Sequence, residues 1–181
     1  MKKLILIIIC IFVQAGSSLA LVEVDITRGN LDPLPIAVSP LYVEPGSKDI
    51  KKDDKIIKNV GEEISKVIEV NFKRSGLFNP LKKDSFVQKP DIVHVKPRFE
   101  DWRLIKAQAL VTGKVNVSDE KLRAEFRLWD VVAGKEMLAL AFSTTPENWR
   151  RVAHIISDKI YKRLTGEEGY FDTRIIYVAE S

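Results

Sequence analysis

The run Arg163-Leu-Thr-Gly-Glu-Glu-Gly-Tyr-Phe-Asp-Thr-Arg-Ile-Ile-Tyr-Val178 constrains the fold more than any other stretch. Before it, apolar residues recur at helical spacing. After Thr173, Ile175, Ile176, Tyr177 and Val178 read as a strand of β-branched and aromatic side chains. Gly166 and Gly169 lie between, and glycine often follows a helix end because it enters a left-handed conformation without a Cβ clash. The stretch therefore predicts a hinge from a long helix into a strand. The chain ends at Ser181, so that strand has no consecutive neighbour on its far side, and an unpaired edge exposes backbone donors and acceptors. The expectation is the front part of a longer architecture.

The first residues predict a secretory leader over 1–20. Lys2 and Lys3 precede an apolar run over 4–13, and small residues follow, ending Ser18-Leu19-Ala20. That run is shorter than the roughly 20 residues needed to cross a bilayer, so no integral membrane segment is expected after cleavage between Ala20 and Leu21. Lipidation at Cys10 is disfavoured by bulky Ile9 before it, where a small residue is required. Cleavage removes two of the 29 basic residues and none of the 25 acidic ones, leaving a net charge of +2, and it also removes the only cysteine. A near-neutral, cysteine-free chain suits an oxidising compartment because it cannot form wrong disulfides. Acids and bases alternate, as in Lys51-Lys52-Asp53-Asp54-Lys55, whereas a polyanion binder gathers a basic stripe, so no nucleic-acid partner is expected.

Leu21-Val22-Glu23-Val24-Asp25-Ile26-Thr27 alternates apolar and polar from Val22 onward, as a half-buried strand does, and Arg28-Gly29-Asn30 breaks it. Residues 21–32 thus form a separate strand-bearing segment, which also suits an ordinary first strand of the domain. Pro33 and Pro35 lead into an apolar strand over 36–43, of the kind buried on both faces. Over about 54–74, Ile57, Val60, Ile64, Val67, Ile68 and Phe72 fall mostly at steps of three and four, predicting an amphipathic helix with Asp53 or Asp54 as N-cap. Gly61 costs that helix about 1 kcal/mol relative to alanine. Gly76 closes it, and Asn79-Pro80 keeps it from resuming. Residues 82–96 read as a short helical turn plus connector, and 99–105 as a short helix with Trp102 and Ile105 facing in. Strands at 109–117, 122–129 and 136–144, joined by short links, predict an antiparallel meander. Leu122, Ala124, Phe126 and Leu128 share one face of its middle strand. A last helix begins near Pro146 with Thr145 as cap, and Trp149, Val152, Ala153, Ile156, Ile160 and Leu164 form its buried stripe. The sum is an α+β fold, a two-layer mixed sheet with two long helices.

Little here points to catalysis. His94 and His154 are the only histidines. His94 reads as a solvated connector residue. His154 reads as a structural helix residue, with Asp158 one turn later to accept a hydrogen bond from it. No glycine-rich phosphate loop, HExxH or paired cysteine spacing occurs, so no catalytic residue, cofactor or metal is expected. Trp102, Trp129 and Trp149 read as core, and the Lys/Asp run over 48–55 as solvated surface.

Leu164, Thr165, Gly166, Gly169, Phe171, Thr173, Arg174, Ile175, Tyr177 and Val178, at this spacing, resemble the junction in the TolB family of Tol-Pal system periplasmic proteins. There an amino-terminal α/β domain hands over to a six-bladed β-propeller. Pro35-Ile36-Ala37-Val38, Ser75-Gly76-Leu77-Phe78-Asn79-Pro80-Leu81 and Trp149-Arg150, with Ala153-His154 and Ser157-Asp158, extend the resemblance from Leu21 to the last residue. It implies a domain over 33–166, similar in topology to the anticodon-binding domain of some aminoacyl-tRNA synthetases. It also implies a linker and the first strand of an absent propeller over 167–181. The implied role is that of a non-enzymatic periplasmic component linking the inner-membrane Tol complex to the outer membrane, for cell division and outer-membrane integrity. Val22, Glu23, Val24, Asp25, Ile26 and Thr27 would engage the carboxy-terminal domain of TolA by strand addition. In that mode main-chain bonds give affinity and alternate side chains give specificity. The same segment would either dock on its own domain or be released. Pal is not expected as a partner, since the propeller carries most of that contact in the family. The alternative expectation is a truncated gene remnant or fragment without activity of its own.

Overall fold

The computed structural model describes residues 32–52 and 55–173. The expected leader, the Ala20–Leu21 bond, the strand at 22–27 and the strand at 175–178 lie outside the described residues. Leu34–Val38 forms β1, buried on both faces as its composition requires, with Ile36 and Val38 on one side and Ala37 on the other. The strand expected over 36–43 is divided. Pro40 has no N–H for a ladder bond, and the Leu41 N–H turns out of the sheet toward Gly61 O and Ser65 Oγ, both at 3.2 Å. Pairing resumes in β2, Tyr42–Val43.

A second departure follows. Ile50–Lys52 (β3) and Lys55–Ile57 (β4) form an antiparallel hairpin where a first helical turn was expected. Ile57 sits opposite Ile50, whose side chain is buried. The helix, α1, runs over Val60–Ser75 and is capped by Asn59, not Asp53 or Asp54; Asn59 Oδ1 accepts the Glu62 N–H at 3.2 Å. Gly76 ends it in the left-handed region, at φ 73°.

Asn79-Pro80, read from sequence only as a stop to the helix, falls in a short strand, β5 (Phe78–Pro80), parallel to β1. Pro80 is tolerated because β5 is the sheet's edge. Two short helices follow, α2 (Pro90–Val93) and α3 (Phe99–Leu104). The meander then appears as expected in β6 (Ala109–Val117), β7 (Leu122–Asp130) and β8 (Lys135–Thr144). A 3-10 turn at Pro146–Asn148 leads into α4, Trp149–Thr165. Thr145 makes no side-chain cap; its hydroxyl instead accepts from Asn148 Nδ2 at 3.0 Å.

The main sheet is ordered β5-β1-β6-β7-β8, with β2 also paired to β6; the β5–β1, β1–β6 and β2–β6 pairs are parallel, and β6–β7 and β7–β8 are antiparallel. α1 and α4 cover one face, burying Ile64, Ile68, Phe72, Ile156 and Ile160 against Ile36, Phe126 and Leu128. On the other face Trp102, Leu110, Trp129 and Val131 form a smaller cluster under α3. This is the expected α+β arrangement with two long helices, and all three tryptophans are buried in it. At the outer edge, β8 carries a bulge between the Leu128–Leu138 and Trp129–Glu136 pairs. The Met137 carbonyl inside that bulge accepts from Arg163 Nε of α4 at 3.2 Å.

Candidate functional site

After α4 the chain reverses at Gly166, φ 79°, and lies back along the helix. Asp158 receives it. Its Oδ1 accepts the Phe171 N–H at 2.7 Å and its Oδ2 the Asp172 N–H at 3.1 Å, while Asp172 pairs with Arg151 at 3.1 Å. Tyr170 and Phe171 pack their rings against Tyr161 at 5.5 and 5.8 Å. Gly169 is required by close approach, since a Cβ there would lie 2.3 Å from Asp158 Oδ1 and 2.4 Å from its Cα. Residues 167–173 are therefore a strap packed on α4. Asp158 is not the partner of His154, as the helical spacing suggested, because its carboxylate is spent on two strap N–H groups.

The partner of His154 lies 83 residues away in sequence. Asn71 of α1 is buried between the two long helices, and its Nδ2 donates to His154 Nδ1 at 3.0 Å and to Ser157 Oγ at 2.9 Å. The Ser157 hydroxyl donates in turn to Ala153 O at 2.9 Å. A ring whose Nδ1 accepts carries its proton on Nε2. Burial lowers the His154 pKa below the ordinary histidine value and the Arg150 charge lowers it further; Asp172 and Asp158 act in the opposite sense without prevailing. His154 looks onto a groove of about 270 Å³ between α1 and α4, lined also by Val67, Val70, Arg74 and Arg150. Asn71 was not singled out from sequence. The one available signal was a polar residue on the buried stripe beside Phe72.

His94 also departs from expectation. It is half-buried, stacked on Tyr42 with centroids 4.5 Å apart, and hydrogen-bonded through Nδ1 to Pro90 O at 2.9 Å. It borders a larger hollow of about 590 Å³ on the open face of the meander. The cations there are already neutralised: Lys114 by Glu44 at 2.7 Å, Arg123 by Glu125 at 3.0 Å and Arg127 by Glu136 at 3.4 Å. Among the described residues no group of three or more His, Cys, Asp or Glu side chains could hold a metal, and no helix is long and apolar enough to cross a membrane. The expected partner-binding residues Val22, Glu23, Val24, Asp25, Ile26 and Thr27 lie outside the described residues.

A family model described as the TolB amino-terminal domain matches residues 22–137. Tol-Pal system protein TolB from Pelagibacter ubique (strain HTCC1062) is 69% identical over 163 residues, covering 89% of this chain and 36% of that protein. The chain thus spans about a third of that curated relative's length. Among solved structures, TolB from Acinetobacter baumannii superposes with a TM-score of 0.62 at 20% identity, over 84% of this chain and 33% of that one. The hypothetical protein CT253 from Chlamydia trachomatis superposes at 0.53 with 12% identity, over 75% of this chain and 100% of that one. These two likenesses concern the fold alone. With the family match extending over more than half of its residues, the chain belongs to the TolB amino-terminal domain family.

Proposed function

We propose that this protein is a non-enzymatic, periplasmic component of the Tol-Pal envelope system, exported by cleavage between Ala20 and Leu21. In this reading residues 21–32 engage the carboxy-terminal domain of TolA, with Val22, Val24 and Ile26 pointing into the partner. Family membership carries the reading, and the 69% identical relative bears the name Tol-Pal system protein TolB. The way the chain enters the domain is compatible with it. β1 starts at Leu34, whose N–H donates to Leu77 O at 2.9 Å, while Asp32 and Pro33 just before it are exposed. Twelve residues ahead of that point reach roughly 40 Å when extended, enough to add a strand to a separate protein. Strand addition draws specificity from alternating side chains, and 22–27 has that alternation. The test is a pull-down with the TolA carboxy-terminal domain. Deleting residues 21–32 should abolish capture, and unchanged capture would defeat the assignment.

A further inference from the structure

We propose that the groove between α1 and α4 docks an extended segment of a partner protein in which carboxylate side chains alternate with branched aliphatic ones. Three features of the groove select that chemistry, independently of the role assigned to residues 21–32.

The first is charge without a counter-charge. Arg74, in the last turn of α1, and Arg150, in the first turn of α4, both line the groove, and neither forms an ion pair among the described residues. Arg150 is held in place by stacking over the Trp149 ring at 4.7 Å. The acid at the other end, Glu63, is engaged by Lys66 at 2.9 Å. Two guanidinium groups facing one hollow suit carboxylates, which they bind through paired N–H groups.

The second is a donor on a ring whose orientation is fixed. Because Asn71 Nδ2 occupies His154 Nδ1, the ring's remaining N–H is on Nε2. Asn71 is itself buried and anchored to Ser157, so this orientation is fixed by the helix pair rather than by solvent.

The third is apolar surface in the same groove. Val70 is 55% exposed beside the nearly buried Val67. A free inorganic anion would leave Val70 in water, whereas a segment with an aliphatic residue next to its carboxylate covers it. The distance suits a peptide too. Glu63 and Arg74 are three helical turns apart, about 16 Å, which matches about five residues of extended chain.

The experiment uses protein secreted through its own leader, with valine methyls and histidine rings isotope-labelled. The probe is the peptide acetyl-Val-Glu-Val-Glu-Val-amide, and acetyl-Val-Gln-Val-Gln-Val-amide is the control. Saturable shifts at Val70 and His154 are expected with the glutamate peptide, with at least tenfold weaker binding of the glutamine peptide. The Arg74→Gln/Arg150→Gln double variant should weaken the glutamate peptide by at least tenfold, and Val70→Gln should weaken both peptides. Lys121→Gln, in the exposed turn between β6 and β7, should bind as the parent does. Absence of saturable shifts, equal binding of the two peptides, or unchanged binding by the double variant would overturn the proposal. Binding that emerges only when residues 21–27 are deleted would also overturn it, by giving the groove to the chain's own segment. So would concentration-dependent shifts without peptide, which would give it to a second copy.

Discussion

Replacing Gly61 by alanine sets a helix rule against a packing rule, and the structure decides which wins. Gly61 is the second residue of α1, and in an exposed helix interior alanine would gain about 1 kcal/mol over glycine. Here a Cβ would lie 2.0 Å from Leu41 O, 2.9 Å from Leu41 C and 3.1 Å from Val43 Cγ2. The first two contacts are backbone, so no rotamer change relieves them. That backbone is pinned, since Leu41 N donates to Gly61 O and to Ser65 Oγ, and the Ser65 hydroxyl reaches Ser39 O at 3.1 Å. Overpacking of this kind costs typically 1–3 kcal/mol, and the rigidity of the contact places it at the top of that range. Net of the propensity gain, Gly61→Ala should destabilise by about 2 kcal/mol, or roughly 6–10 °C in Tm for a domain of this size. Urea denaturation followed by far-UV circular dichroism reads it directly. Gly76→Ala provides the contrast, because its Cβ would meet nothing within 4 Å and its cost is that of the left-handed backbone alone. A Gly61→Ala protein as stable as the parent, or more so, would refute the claim that the β1–β2 crossing requires glycine.

The strap should depend on Asp158. Asp158→Ala removes both acceptors of the Phe171 and Asp172 N–H groups, and is expected to expose Tyr170 and Phe171 to chymotrypsin while lowering global stability by about 1–2 kcal/mol. Gly169→Ala should reproduce the cleavage, and resistance of both variants would show that other contacts hold the strap. For His154 the pKa is lowered in the fold, by burial first and by Arg150 second. The unfolded chain therefore binds more protons, so stability from this residue rises with pH and is lost as pH falls through the ordinary histidine range. Urea midpoints between pH 7.5 and 5.5 should fall more steeply for the parent than for His154→Gln, and parallel profiles would contradict that sign.

What was legible in the sequence was whatever repeats with the period of its element. The meander was found with boundaries within one residue because β7 alternates strictly, Leu122, Ala124, Phe126 and Leu128 buried, with the residues between them more exposed. The α4 stripe was equally plain, and Trp149, Val152, Ala153, Ile156, Ile160 and Leu164 are all buried. Failures came where tertiary contact overrode a local rule. Ile57 lies three residues before Val60, so helical spacing claimed it, although its place is set by Ile50 across a hairpin. Phe78–Pro80 is too short for any period, and only its register beside Leu34–Ile36 makes it a strand. Gly61 reads as a defect by propensity and as a necessity only once Leu41 is seen to cross the helix.

The strap and the groove are connected through one choice that local spacing misjudged. Had Asp158 paired with His154, its negative charge would have favoured the imidazolium. The groove would then present a cation with its counter-ion already beside it. Asp158 instead turns to the Phe171 and Asp172 N–H groups, and Asp172 occupies Arg151. Two acids adjacent to the groove are thereby committed to the strap, while Arg74 and Arg150 remain without a carboxylate among the described residues. His154 is left to Asn71, its pKa lowered by burial and by Arg150, and with Nδ1 accepting from Asn71 its N–H is on Nε2. The docked strap and the unbalanced charge of the groove are thus one arrangement.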